Sequence, residues 1–503
     1  MKYLFVAGVL FLSACTAGLG GAKITNSNIL NENTNYQMQG ILQQAENCEP
    51  NVSVQCDINV FYIHGMGPTP EDFHTPLLKH LLTLKNSNFT RRSLNDQPIY
   101  LSSNFNNLEV RGEAIVDTRP CSNFIDPTRC QFGTMFRDVY SGTINGVNVN
   151  VNAYALYWQF DAWNQVQEGY IQNDIDTIED DSVWVNRFLK KTVVDYGFAD
   201  AALYLGDFGK VLRYSTETAI CIMVRDTIDS PSSNQEHNNS CDLASLSDAR
   251  SLEAIRGLNL TFISKSLGSR ILMDSILPLN ELNSTYEYSR AIKTLNPDMA
   301  TEDITANAIV ANQEDVKAVQ VKKALAQSLS SSYMLANQLP LLGLGTLEVE
   351  DSEILALRDS LYCRLILESE EYDCQSPLFF VSGQSSSNDI SFFTFIENVN
   401  SFSNIKDATD RKMNIYAFRD PNDLLGYQAT QHISARSSGA DGNPYEHLRV
   451  TEIKHRNARE WLWSFSNPKS AHANEDRRLQ SLNLIWCGGR ADRNGKLKPK
   501  NCP

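Results

Sequence analysis

The stretch of chain that most restricts the possible fold is Leu258–Leu277, which reads LNLTFISKSLGSRILMDSIL. Its first part, Leu258–Ile263, contains the β-branched and aromatic residues typical of a buried strand. Its second part, Leu267–Leu277, has the spacing of an amphipathic helix and stops before Pro278, which cannot continue a helix. The stretch therefore predicts a strand that turns sharply into a helix, the unit from which parallel α/β sheets are built.

The same alternation of strand and helix continues along the chain. Ile58–Ile63 (INVFYI) is a continuous apolar run, as in a strand buried on both faces. A helix should follow it, because Thr69 can cap a helix and Pro70 suits the first helical position. Further elements are predicted from periodicity: strands at Val147–Trp158, Met413–Phe418 and Leu448–Ile453, and helix over most of 193–224. We expect an α/β fold with a mostly parallel sheet covered by helices on both faces.

The first residues, MKYLFVAGVLFLSAC, have the features of an export signal. Lys2 precedes the apolar run Tyr3–Leu12, which is too short to span a bilayer, and small residues precede Cys15. The pattern resembles a bacterial lipobox, which implies a signal peptide at 1–14 and lipidation of Cys15. Thr16 after the cysteine resembles outer-membrane sorting in Gram-negative lipoproteins. The alternative is an ordinary signal peptide with a cysteine present by chance.

The cysteine content agrees with an oxidising compartment. The chain has eleven cysteines, and removing the lipidated one leaves an even number that falls into close couples. Because short loops close easily, we predict neighbour pairing: Cys48–Cys56, Cys121–Cys130, Cys221–Cys241, Cys363–Cys374 and Cys487–Cys502. Spacing alone leaves other pairings open. The chain has no C-x-x-C, so no zinc ribbon or thioredoxin-type site is indicated.

Charge and length limit the possible partners and the domain organisation. The net charge of −15 argues against nucleic acid or anionic lipid head groups as partners. A length of 503 residues allows about three average domains, or one large α/β domain with insertions. After the N-terminal segment, no apolar run reaches the roughly 18 residues expected of a membrane helix.

Two motifs together carry a resemblance to a known family. Ser264–Gly268 (SKSLG) differs in one residue from G-x-S-x-G, the strand-to-helix turn that presents a nucleophilic serine. His64-Gly65-Met66-Gly67 ends the first buried strand, where a close approach of backbone amides is possible. FYIHGMG followed by TFISKSLGS resembles a lipase or esterase of the α/β-hydrolase superfamily.

The resemblance implies a role for each motif. Ser266 would be the nucleophile, and the amides of Met66 and Leu267 would form the oxyanion hole. The residues of the supporting turns are His64, Gly65, Gly67 and Gly268. The alternatives are plain structural turns with an inert serine. A competing serine, Ser385, lacks both the closing glycine and a following amphipathic helix.

The acid and the base should follow the serine in the family's chain order. In NIYAFRDPNDLLGY the resemblance selects Asp423 as the acid, with Asp420 second and an Asp-capped surface turn as the alternative. The resemblance selects His472, in the loop before the last helix, as the base. His455 is the second choice. Two other histidines, His432 and His447, flank a Ser/Gly-rich loop and are expected to be solvated.

These interpretations divide the chain into segments. The expected segments are a signal peptide at 1–14, a lipidated N-terminus and polar tether at 15–51, the first half of the hydrolase core at 52–278, a cap or lid insertion with some core at 279–375, and the second half of the core at 376–503. Within the insertion, Ser332–Gly345 is either another core strand or a lid surface that binds acyl chains.

The expected function follows from the resemblance. It is an envelope-anchored serine hydrolase, held to the membrane by the N-terminal lipid, that cleaves lipid or small acyl esters through an acyl-enzyme without metal or cofactor. One alternative is a non-catalytic envelope lipoprotein that uses the fold for binding. Another is a serine peptidase of the same fold.

Overall fold

The structure is a computed structural model that describes separate stretches of the chain. These stretches are residues 21–25, 36–47, 56–66, 69–84, 88–92, 99–103, 130–158, 199–206, 208–229, 241–336, 361, 363–367, 395–397, 399–400, 413–421, 423, 448–455, 460–461, 465–466 and 476–502.

The described strands form one large sheet and two small ones. In chain order the strands are β1 (Lys23–Ile24), β2 (Gln37–Met38), β3 (Cys56–Ile63), β4 (Thr90–Arg92), β5 (Ile99–Ser103), β6 (Cys130–Ile144), β7 (Val147–Tyr157), β8 (Leu260–Lys265), β9 (Leu329–Leu335), β10 (Met413–Arg419), β11 (Leu448–Lys454), β12 (Glu460–Trp461), β13 (Phe465–Ser466), β14 (Gly489–Ala491) and β15 (Leu497–Pro499). The ten-stranded sheet has the order β1-β11-β10-β9-β8-β3-β7-β6-β4, with β5 paired to β6. Its six central strands, β11 to β7 in that order, are parallel.

The α-helices lie on both faces of this sheet. In chain order they are α1 (Thr75–Leu81), α2 (Ala199–Leu205), α3 (Phe208–Ile228), α4 (Ala249–Arg256), α5 (Leu267–Ile276), α6 (Leu279–Leu295), α7 (Thr301–Ala311), α8 (Gln313–Ser328) and α9 (Leu479–Cys487). Side chains of β3 alternate between the faces: Phe61 and Ile63 pack with α3, α5 and α8, whereas Val60 and Tyr62 pack with α1 and α9. The predicted α/β class with a mostly parallel, doubly covered sheet is confirmed.

The segment after β3 differs from its prediction. The helix begins at Thr75 with His74 as its N-cap, and not at Pro70. The intervening residues form turns, in which the amide of Phe73 donates to the carbonyl of Pro70 over 3.0 Å. The Phe73 ring lies 5.0 Å from the Tyr62 ring and is buried, so tertiary packing overrides the local capping signal.

The polar tether expected within 15–51 is wrong for residues 36–47. Tyr36, Met38, Ile41 and Leu42 are buried on the face of the sheet that also contacts α9. The Gln44 amide donates to Thr261 on β8 over 2.6 Å. Apolar residues spaced through a polar segment are enough to hold it on a sheet, because each buried one contributes roughly 1.5–3 kcal/mol.

The segment at 279–375 contains part of the core. β9 lies between β8 and β10, so the described residues 332–335 of Ser332–Gly345 belong to a core strand and not to a lid. Helix α8 buries Val319 and Leu325 in the core. Residues 337–345 lie outside the described part.

A buried ion-pair network joins three helices of this layer. Lys322 on α8 contacts Glu217 on α3 at 3.1 Å and Glu281 on α6 at 2.7 Å. Burial by itself lowers the pKa of Lys322, but the two carboxylates outweigh this effect and raise the pKa above its usual value. We call these three residues the Lys322 network.

Two of the predicted disulfides are confirmed, Cys221–Cys241 and Cys487–Cys502. Cys56 is also disulfide-bonded. Its predicted partner Cys48, and also Cys121 and Cys374, lie outside the described residues. None of the described helices has both the length and the apolarity that crossing a membrane requires.

Candidate functional site

The predicted site residues that the structure describes lie at the carboxyl edge of the parallel strands. Four strand ends are joined there by hydrogen bonds between backbone atoms. The Ser266 amide donates to Leu335 over 2.8 Å, the Ala336 amide to Phe418 over 2.9 Å, and the His455 amide to Arg419 over 2.8 Å. Segments far apart in sequence therefore meet at one edge, the usual location of ligand sites in open α/β sheets.

Ser266 occupies an unusual backbone conformation between β8 and α5. Its φ is 53° and its ψ is −125°, in a region that residues other than glycine seldom enter. Ser266 stands at the N-cap of α5, yet its side chain makes no capping hydrogen bond. An ordinary N-cap serine has extended backbone and bonds its oxygen to the second or third helical amide. The capping explanation for this serine is therefore excluded.

Two glycines let the turn at Ser266 contact the loop after β3. A Cβ on Gly268 would lie 2.2 Å from the backbone oxygen of His64, and a Cβ on Gly65 would lie 2.6 Å from Cβ of Ser266. Both distances are shorter than real side chains allow, so neither position accepts a larger residue without backbone movement. The structure thus brings His64 and Gly65 against Ser266 and Gly268, as the resemblance implies. Gly67 lies outside the described residues.

His64 supports this loop and does not act as an available base. Its Nε2 accepts from the Trp158 amide over 3.2 Å, so Nδ1 carries the proton and donates to the Gly65 carbonyl over 2.7 Å. The ring stacks on that of Trp158 at 4.8 Å, and burial lowers the pKa of His64 to about 3. Because a peptide unit is planar, fixing the Gly65 carbonyl also fixes the direction of the Met66 amide.

The predicted oxyanion donors come from two different backbone segments. Leu267 is the first residue of α5, where helix amides have no partner within the helix and the helix dipole favours negative charge. The Met66 amide belongs to the peptide that His64 orients. Two such amides beside a serine can stabilise the charge that develops on an acyl oxygen.

The two acid candidates both follow β10 at the same edge. Asp420 comes directly after the strand, and the Asp423 amide donates to the Asp420 carbonyl over 3.0 Å. Both residues are buried. β10 is the second strand from β8, about 10 Å away at the usual strand spacing. Asp423 and Asp420 both remain candidates.

Both ring nitrogens of His455, the second choice for the base, contact side chains at the start of helix α9. Its Nε2 accepts from Arg478, which can only donate, over 3.3 Å, and its Nδ1 contacts the Ser481 hydroxyl at 2.9 Å. Burial first, and then the charge of Arg478, lower the pKa of His455 to about 4. His455 is therefore a neutral structural histidine. The first choice, His472, lies outside the described residues, as do His432, His447 and Ser385.

The structure also shows features of the edge that the sequence analysis missed. Ala336, at the end of β9, has a φ of 52° although it is not a glycine. An alanine carries no signal for that conformation, whereas glycine or asparagine would have suggested it. Ser266 as a whole residue is 1% exposed, so its hydroxyl is closed off from solvent in this conformation. Sequence patterns do not report such closure.

Within the described part of the chain, no group of three or more His, Cys, Asp or Glu side chains is placed to hold a metal ion. Comparison of the chain with protein-family models, with curated proteins and with solved structures finds no match.

Proposed function

We propose that the chain is a serine hydrolase of the α/β-hydrolase fold that cleaves carboxylic esters of lipids or small acyl groups. The observation that carries the proposal is the backbone of Ser266, which is held in a strained turn without a capping role. Strain of about 1–3 kcal/mol at one residue persists where the surrounding structure enforces it, and such residues cluster at active sites. The contact between this turn and the His64–Met66 loop supports the same proposal.

The order of elements along the sheet is consistent with that fold. The loop that supplies one oxyanion donor follows β3, the nucleophile follows the adjacent strand β8, and the acid candidates follow β10, two strands further on. This arrangement agrees with the family's chain order of serine, acid and histidine.

The proposed chemistry uses side chains and backbone amides. Ser266 Oγ attacks the acyl carbonyl while His472 removes its proton, and Asp423 orients the imidazole and stabilises its charged form. The amides of Met66 and Leu267 donate to the oxyanion. His472 then protonates the leaving alcohol, and water hydrolyses the acyl-enzyme with His472 as the base.

A fluorophosphonate probe tests the enzymatic proposal. The probe should label the wild-type chain and fail to label Ser266→Ala. The matched control is Ser275→Ala on α5, whose hydroxyl donates to the carbonyls of Ile271 over 2.7 Å and Arg213 over 3.4 Å and which should leave labelling unchanged. Labelling that persists in Ser266→Ala would assign the reaction to another residue.

The triad partners are tested by separate variants. His472→Ala should abolish hydrolysis of p-nitrophenyl esters, and retained activity would mean that another histidine is the base. Asp423→Asn and Asp420→Asn, compared side by side, identify the acid as the position with the larger loss of kcat. Esters of increasing chain length then distinguish an esterase from a lipase.

A second candidate function is non-catalytic binding at the same edge of the sheet. The observation that favours it is the burial of Ser266, which leaves its hydroxyl inaccessible in this conformation. An absence of labelling under conditions where the chain is folded would support binding over catalysis. Labelling at Ser266 would show that its hydroxyl becomes accessible in solution and would exclude the non-catalytic function.

We also propose that the chain is attached to the bacterial envelope through a lipid on Cys15, with the outer membrane as its location. The support is the N-terminal sequence alone, because residues 1–20 lie outside the described part. Metabolic labelling with palmitate should mark the wild-type chain and not Cys15→Ser.

A further inference from the structure

The strands near the C-terminal end of the chain carry a row of basic side chains. Residues 488–500 contain five basic residues and one acidic residue, in a chain whose net charge is −15. Lys496 and Lys498 flank the buried Leu497 and are both exposed. The Lys500 amide donates to the Gly488 carbonyl over 3.0 Å, which continues the ladder past β15. Because alternate residues of a strand point to the same face, the three lysines leave one face of the small sheet.

Strand pairing places further basic residues opposite this row. Arg490 on β14 pairs with Lys498, and Lys23 on β1 pairs with Lys496. On its other side Lys23 pairs with Lys454 at the end of β11. Residues directly opposite each other in an antiparallel pair project to the same face. We call six residues the basic face: Lys23, Lys454, Arg490, Lys496, Lys498 and Lys500.

The acidic residue of this segment is used by the turn between β14 and β15. The Asp492 carboxylate accepts from the backbone amides of Asn494 over 2.9 Å and Lys496 over 3.0 Å. Lys500 Nζ donates to the neutral side chain of Gln37 over 2.7 Å. No carboxylate in the described part of the chain forms an ion pair with Lys496 or Lys498. The positive charge of the basic face is therefore not balanced at its centre.

The fold gains no stability from this arrangement of charge. Like charges directly opposite each other destabilise a pair of strands, and the basic face contains three such pairs. A negatively charged partner would remove the repulsion, because each lysine could then face an opposite charge. The arrangement therefore indicates an anionic partner.

The acidic remainder of the chain does not prevent such an interaction. The net charge of −15 by itself predicts repulsion from anionic lipid. At physiological ionic strength, however, exposed charges more than about 8 Å apart are largely screened from each other. A surface in contact with the basic face therefore experiences mainly the basic face. The negative remainder also helps to orient the chain, because it turns away from an anionic surface.

The point where the chain enters the fold favours a lipid bilayer as the partner. Gly21, the first described residue, lies against the basic face, since a Cβ on Gly21 would lie 3.3 Å from Cε of Lys496. Cys15 stands six residues before Gly21 in the sequence. Six residues span at most about 21 Å, whatever path they follow. A bilayer that holds a lipid on Cys15 must therefore come within about that distance of Gly21.

We propose that the basic face docks the chain onto a bilayer that contains anionic phospholipid. The inference does not depend on Ser266 being a nucleophile. The choice of a bilayer draws on the proposed lipid at Cys15, whereas the charge argument stands without it. Each basic residue near an anionic bilayer strengthens binding roughly fivefold, so a few lysines produce a measurable effect.

The test measures binding of the full-length Cys15→Ser chain to sedimented vesicles, so that a covalent lipid does not mask the contribution of charge. Vesicles of equal parts phosphatidylcholine and phosphatidylglycerol are compared with vesicles of phosphatidylcholine alone, which report binding that does not depend on charge. We expect binding about tenfold or more tighter to the anionic vesicles. The difference should disappear at about 1 M NaCl, where the screening length falls to about 3 Å.

The decisive variant combines Lys496→Gln with Lys498→Gln. We expect it to bind the anionic vesicles about tenfold or more weakly than the parent chain and to bind phosphatidylcholine equally. The matched control combines Arg250→Gln on α4 with Arg290→Gln on α6. Both arginines are exposed, and their helices pack on the other face of the large sheet. The control changes the net charge by the same amount and should leave binding within about twofold of the parent.

Stability supplies a second measurement. Because Lys496→Gln and Lys498→Gln each relieve a pair of like charges, the double variant should unfold at the same or a higher urea concentration than the parent. A lower midpoint would show that these lysines stabilise the fold, which would overturn the reason for inferring an anionic partner.

Three binding results would overturn the inference. Equal binding of the double variant and the parent would leave the lysines with the role of keeping a sheet edge from pairing with another chain. An equal loss in the arginine control would assign the effect to net charge. Binding of a short DNA duplex as tightly as the anionic vesicles would make the face a general polyanion site. These measurements are separate from palmitate labelling at Cys15 and probe labelling at Ser266, so a failure of the proposed function is recognised independently.

Discussion

The strained backbone at Ser266 leads to a stability prediction that needs no substrate. Replacing Ser266 with glycine or with alanine removes the hydroxyl in both cases, but only glycine also removes the Cβ that conflicts with a φ of 53° and a ψ of −125°. Comparison of the two variants therefore isolates the conformational strain. Ser266→Gly should be more stable than Ser266→Ala.

The expected difference follows from two opposing contributions. A non-glycine residue in such a region costs about 1–3 kcal/mol, which glycine avoids. Glycine loses about 0.4–1 kcal/mol relative to alanine, because it makes the unfolded chain more flexible. The net advantage of Ser266→Gly then lies between about 0 and 2.6 kcal/mol, with a central value of about 1.3 kcal/mol.

The assay is urea unfolding followed by tryptophan fluorescence, with the midpoints of the two variants compared. The control pair is Ser289→Gly and Ser289→Ala in the interior of α6, where glycine should be less stable by about 1 kcal/mol. The sign of the difference should therefore reverse between the two sites. A midpoint for Ser266→Gly at or below that of Ser266→Ala would refute the strained turn, and with it the observation that supports the hydrolase proposal.

Three further predictions concern the same edge and the core. Gly65→Ala should be strongly destabilising in the wild type, because the new Cβ would lie 2.6 Å from Cβ of Ser266. The same substitution should destabilise less in the Ser266→Gly background, which lacks that Cβ. A double-mutant cycle by urea unfolding that shows no coupling between the two positions would contradict the contact. His64 and His455 have pKa values of about 3 and about 4 in the folded chain, below the ordinary 6.5, so the unfolded chain binds more protons and stability is lost as pH falls below about 6.5. The loss at pH 5 should be about 2 kcal/mol for each histidine, and His455→Asn should reduce it when unfolding is measured at pH 7 and pH 5. Lys322→Met should destabilise by about 3–5 kcal/mol because it leaves the two carboxylates of the Lys322 network buried without their cation, and an effect below about 1 kcal/mol in urea unfolding would contradict this.

Several parts of the fold could be predicted because their signals are local. The apolar runs of β3 and β8, the helical spacing of α5 and the stop at Pro278 depend on residues near one another in sequence. The hairpin of β6 and β7 also has a local signal: Asn145-Gly146 joins the two strands with φ values of 50° and 84°, the positive pair that an Asn-Gly turn favours. β6 is not among the strands predicted from periodicity, although its turn to β7 is visible in the sequence.

Local sequence signals predict the strand–turn–helix unit around Ser266, the α/β class and two neighbour disulfides, because each depends on short-range geometry or on short loops that close easily. Which segments meet depends on the tertiary structure: Gly65 contacts Ser266, α9 hydrogen-bonds to His455, residues 36–47 pack on the sheet, and Lys265 donates to Asp476. These contacts join positions up to several hundred residues apart. They depend on the order and register of the strands and on which side chains remain buried, and local patterns do not encode these features.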